Sequence, residues 1–67
     1  MEIYEALKIA IEALRKKDLV TQPDYRMTAS RVNEEWVFWF VFLPETPGKD
    51  VTVIVDDQGN VRTLAGL

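Results

Sequence analysis

Eight consecutive residues, Trp36-Val37-Phe38-Trp39-Phe40-Val41-Phe42-Leu43, carry no charged or hydroxyl-bearing side chain. The β-branched and aromatic content favours a strand over a buried helix. On a strand, successive side chains point to opposite faces. Trp36, Phe38, Phe40 and Phe42 then share one face, and Val37, Trp39, Val41 and Leu43 share the other. Polar alternation is missing, so both faces seek burial, and such a strand belongs in the middle of a sheet. What the remaining residues supply to cover those two faces is the main constraint on the fold.

Only one helix is available. From Met1 to about Lys17, the residues Ile3, Leu7, Ala10, Ile11 and Leu14 fall on one stripe at helical spacing. Ala6, Ala10 and Ala13 raise helix propensity and permit close approach to a sheet. Glu5, Ile9, Glu12 and Lys16 fall on the outer side, where Ile9 is expected as an ordinary exposed apolar residue. Arg15-Lys16-Lys17 places cations at the helix end, where they complement the dipole.

Three further segments have strand character. Tyr25–Val32 alternates, with Tyr25, Met27 and Ala29 on one side and Arg26, Thr28 and Ser30 on the other. Val51–Val55 places Val51, Val53 and Val55 on one face, and Val61–Ala65 completes the set. Asn33-Glu34 suits a tight turn. Asp56-Asp57-Gln58-Gly59-Asn60 has hairpin chemistry, with Gly59 or Asn60 able to take positive φ. Asp18–Asp24 and Pro44–Asp50 are expected as loops, since prolines interrupt both, and Gly66-Leu67 as a tail. The expected fold is α+β: a single domain over residues 1–67, with one N-terminal helix packed on a three- or four-stranded antiparallel sheet.

A chain of 67 residues buries about 60% of the surface its unfolded form exposes. Its core then supplies roughly 3–5 kcal/mol of net stability. Disulfides and thiolate metal sites are excluded because there is no Cys, and the absence of His removes the commonest metal ligand and general base. Ser30 and the threonines have no His or Cys partner to activate them. Glu34 and Glu35 are adjacent on a strand and so point apart. Asp56, Asp57 and Asn60 do not match the offsets of a Ca²⁺ loop. No catalytic residue, cofactor site or metal site is expected, and the chain is read as a non-enzyme. Its net charge of -3 argues against nucleic-acid binding, which needs clustered cations. Glu2 and Glu5 replace the basic start of an export leader, and the apolar run is too short to span a bilayer as a helix. A cytoplasmic location is therefore expected, without membrane contact.

The width of one helix, about 10–12 Å, covers roughly two or three strands spaced about 4.8 Å apart, and on one face only. Assigning the Trp36, Phe38, Phe40 and Phe42 face to the helix, with the reverse assignment left open, leaves Val37, Trp39, Val41 and Leu43 uncovered. Thr28, Ser30, Thr52 and Arg62 would rim that row. An apolar centre with a polar rim is how interfaces are built, and Trp is a frequent anchor. The expected function is a non-catalytic module that binds itself, as a homodimer, or another protein through those residues. Two alternatives use other features: a small apolar ligand held between helix and sheet, or a single nucleic-acid strand stacked on Tyr25 and Trp36 beside Arg26. Against an interface stands intramolecular cover of the row by Leu64, Leu67 or the Pro44–Asp50 loop.

The last hairpin, Val53-Ile54-Val55-Asp56-Asp57-Gln58-Gly59-Asn60-Val61, resembles the end of PepSY-like domains, which close with a Val-x-Val-Asp-x-x-Thr-Gly-x-Val type of hairpin. Gln58 stands where that family usually has Thr. The order of elements is also similar to small cytoplasmic immunity proteins of the YrhB type. Their Trp-x-Phe strand matches Trp36-Val37-Phe38, and their Val-Asp-x-x-Gly hairpin matches Val55 to Gly59. Either resemblance implies binding to another protein rather than catalysis.

Overall fold

A computed structural model describes residues 1–19, 24–44 and 49–65, the side chain of Ala65 excepted. Helix α1 spans Ile3–Lys16. Four strands follow, β1 at Tyr25–Val32, β2 at Glu35–Phe42, β3 at Asp50–Asp56 and β4 at Val61–Ala65. They form one antiparallel sheet in the order β1-β2-β3-β4, so each strand pairs with its neighbour in sequence. The doubly apolar strand β2 is internal, as its lack of alternation requires. The expected α+β architecture, with its N-terminal helix and four-stranded sheet, is the observed one.

Register decides which side chains share a face. Phe38 lies opposite Ala29 on one side and Val53 on the other, and Phe40 lies between Met27 and Val51. These positions meet the helix. Phe38, Phe40, Phe42, Val51, Val53 and Val55 are buried together with Ala6, Ala10 and Leu14 of α1. The alanines let the helix axis come close to the sheet, and the phenylalanines fill the layer between. Trp36 stacks on Phe38 with ring centroids 6.3 Å apart, and Tyr25 presents an edge contact to Phe40 at 5.5 Å.

Ile9 departs from the outward position expected of it. It is half-buried and packs against the core. Its Cδ1 would stand 3.9 Å from a Cβ placed on Gly59, so the β3–β4 hairpin rises against the flank of α1 and widens the apolar stripe. The helix lies over β2, β3 and β4 and does not reach β1.

Both ends of α1 are fastened. At the C-terminus, Asp18 takes φ 54°, the Leu19 N–H donates to the Leu14 carbonyl at 2.9 Å, and the Asp18 N–H donates to the Arg15 carbonyl at 3.2 Å. This is a Schellman ending with Asp where Gly is usual. Lys17 donates from Nζ to Thr63 Oγ1 at 2.8 Å, which ties the same end to β4. At the N-terminus, Trp36 Nε1 donates to the Met1 carbonyl at 2.8 Å, and the Met1 ammonium lies 3.3 Å from Asp57 Oδ1.

The turns follow the residues that form them. Asn33 holds φ 55° in the β1–β2 turn, a conformation Asn tolerates. Gly59 holds φ 85° between β3 and β4. Leu19 and Asp24 frame the first expected loop, of which residues 20–23 lie outside those described. Residues 45–48 of the second loop and the tail 66–67 do so as well.

Candidate functional site: the open sheet face

The face of β2 turned away from α1 carries Val37, Trp39 and Val41, and Leu43 follows just past the strand end. Trp39 is the centre of this face and remains 46% exposed, whereas its neighbours Phe38 and Phe40 are buried. The contrast follows from alternation alone: adjacent residues point to opposite sides, and only one side has a helix. Val37, Val41 and Leu43 are half-buried.

Thr28 and Thr52 flank Trp39 across the two ladders, and Ser30 and Ile54 flank Val37. Leu64 lies beyond Thr52 on β4, and Arg62 lies beyond Ile54. The row is thus wider than β2 alone predicts. Ile54 joins it from β3, Leu64 from β4 at 59% exposure, and Val32 from the end of β1 at 50%. Leu64 extends the open face rather than covering it. Ile54 could have been found from sequence, because Val51, Val53 and Val55 facing inward force residue 54 outward. Leu64 needed the β3–β4 register.

Two polar contacts on this face are made within the protomer. Trp39 Nε1 donates to Asp50 Oδ2 at 2.9 Å, which holds the indole edge toward β3 and leaves its ring surface to solvent. Arg62 donates to Glu35 Oε2 at 2.8 Å. The row along β2 is therefore apolar, threonines flank its centre, and the Arg62–Glu35 ion pair sits at the margin.

The residues of the two alternative readings are distributed differently. Tyr25 and Trp36 lie on the helix side of the sheet, and Arg26, opposite Val41, lies on the other side. Instead Arg31 stands over the Trp36 ring at 5.0 Å. Between helix and sheet, the space is filled by the buried side chains already named. Beside it runs an open groove of about 310 Å³ lined by Ile9, Ala13, Lys16, Lys17, Gly59 and Val61.

The acidic turn is occupied by its own structure. Asp56 Oδ1 accepts from the N–H of Gln58 and of Asn60, each at 2.9 Å, and the Asn60 bond foremost holds the Asp56 carboxyl below the usual aspartate range. Asp57 accepts two bonds from Arg31 Nη2, at 3.0 and 3.2 Å. That guanidinium first, and the Met1 ammonium second, hold its carboxyl low. Among the described residues no cluster of acidic side chains is disposed to hold a metal ion. No described helix is long and apolar enough to cross a membrane. No family model, curated protein or solved structure matches the chain.

Proposed function

We propose that this protein is a non-catalytic docking module that binds protein surfaces, its own copy or a partner, through the sheet face centred on Trp39. One observation carries the reading. A tryptophan on an internal strand stands half in solvent, ringed by Val37, Val41, Ile54 and Leu64 and tied at its edge to Asp50. Contiguous exposed apolar surface on a small domain usually has a purpose. Internal strands normally bury such residues, and here the single helix is on the other side. The indole is also held by its hydrogen bond, so little side-chain freedom is lost on docking. The hairpin's resemblance to PepSY-like and YrhB-type domains points to the same class of activity.

The test is Trp39→Thr, which keeps strand propensity and places a third threonine between Thr28 and Thr52. Proteins captured from the source cell by the native chain are identified, purified and rebound. A true partner should lose about 30-fold in affinity for the folded variant, the cost of a central hot spot of about 2 kcal/mol. Leu64→Thr, at the margin, should lose less. A set of rebound proteins indifferent to both substitutions would reject the assignment.

A further inference from the structure

The sheet ends at β1, and among the described elements none lies beyond the outer edge of that strand, whose charged side chains are Arg26 and Arg31. Tyr25–Val32 contains no Pro, Gly or Lys and pairs with β2 over its whole length without a bulge. The helix does not overhang it. The opposite edge, β4, is shorter, at 5 residues against 8.

The phase of the ladder fixes which backbone groups point outward. The Leu43 N–H donates to the Asp24 carbonyl at 2.9 Å, one step beyond the Tyr25–Phe42 pair. Hydrogen-bonded pairs alternate along an antiparallel ladder. Arg26, Thr28, Ser30 and Val32 therefore turn their N–H and C=O groups to β2. Tyr25, Met27, Ala29 and Arg31 turn theirs away from the sheet. The Val32–Glu35 pair closing the tight turn has the same phase.

We propose that a second copy of this chain occupies that edge, β1 against β1 and antiparallel, about a two-fold axis normal to the sheet at Thr28. In this register Tyr25 pairs with the second copy's Arg31 and Met27 with its Ala29, so every outward N–H and C=O of β1 is engaged. Between them Arg26 faces Ser30, and Thr28 faces its own symmetry mate, a favourable cross-strand pair. No like charges stand directly opposite. Sliding the copies by two residues either way pushes Tyr25 or Arg31 beyond the end of the facing strand.

The axis has a further result. Because it is normal to the sheet, both helices fall on one side and both Trp39 faces on the other. One protomer's face, about 19 Å across four strands and about 20 Å along them, offers roughly 400 Å². That is about half of the roughly 800 Å² per partner in a standard interface, and two adjoining faces together reach it. The pairing itself stands on the edge of β1 and not on the docking reading.

The chain has no cysteine, so single introduced thiols report the register directly. Paired Thr28 residues at a non-hydrogen-bonded position have Cα atoms about 4.5 Å apart, inside the range of about 4.4–6.8 Å a disulfide spans. In a glutathione buffer, Thr28→Cys should cross-link to a dimer at least about tenfold faster than Ser30→Cys, whose neighbour is Arg26. Sedimentation of the native chain should show dimer growing through the micromolar range, and Trp39→Thr should leave it intact. A monomer at several hundred micromolar overturns the proposal. So does cross-linking at Ser30→Cys as fast as at Thr28→Cys, or a dimer that Trp39→Thr dissolves. Failure of partner binding to depend on Trp39 rejects the docking reading alone.

Discussion

Asp18 is the residue at which a single substitution should make this protein more stable. It sits just past α1 in the left-handed region, with φ 54°, and its N–H closes one of the two bonds that end the helix. Left-handed backbone costs an ordinary L residue about 1–2 kcal/mol, less for Asp, and costs glycine almost nothing. A carboxylate at a helix C-terminus adds an unfavourable dipole contribution of about 0.3–1 kcal/mol. Arg15, Lys16 and Lys17 beside it offset part of that. Against the gain, glycine frees the unfolded chain by about 0.4–1 kcal/mol. The balance for Asp18→Gly is a gain of about 0.5 kcal/mol. For Asp18→Asn, which keeps the left-handed tolerance and removes only the charge, it is about 0.3 kcal/mol. Urea unfolding followed by circular dichroism separates them. With a slope near 1 kcal/mol/M, the Gly variant should shift its midpoint by about 0.5 M, and its thermal midpoint by about 2–4 °C. If neither variant exceeds the parent, the helix does not end on a left-handed residue 18, and the stop signal assigned to it is mistaken.

Phe38→Ala should leave the chain largely unfolded in urea-free buffer. The side chain is fully buried, its removal costs about 3–5 kcal/mol, and a domain this size holds only about 3–5 kcal/mol in total; a native near-ultraviolet spectrum from this variant would contradict the placement of the core. Stability should also fall in acid. Arg31 and the Met1 ammonium hold the Asp57 carboxyl low, so its folded-state pKa lies below its unfolded one. Its contribution is then complete above the unfolded aspartate value of about 3.9 and fades as pH drops through the folded one. Thermal midpoints measured from pH 6 to pH 2 should therefore decline less steeply for Asp57→Asn than for the native chain.

Most of the architecture was legible because its signals are short-range. Alternation sets the face of each strand, helical spacing marks Ile3, Leu7, Ala10 and Leu14, and Asn33 and Gly59 mark turns. That one row of β2 stays uncovered followed from the number of layers one helix can make; which row it is took the structure to decide. Trp39 was legible as the centre of one of the two candidate rows. What escaped depends on how elements lean on each other. Ile9 lies outside the helical stripe and is covered only because the Gly59 hairpin rises beside it. Leu64 joins the open face through a pairing with Thr52 that no local pattern encodes. The tie between Trp36 and Met1 links residues 35 positions apart, and nothing in either segment announces it.

The meander has a kinetic consequence. Each strand pairs with the next in the chain, and the two turns at Asn33-Glu34 and Asp57–Asn60 close short loops, so two hairpins can zip up with little entropy lost at each step. Only α1 must travel far, from the start of the chain onto β3 and β4, before its apolar side finds shelter. By loop-closure entropy, the sheet ladder is then expected to form before the helix seats on it.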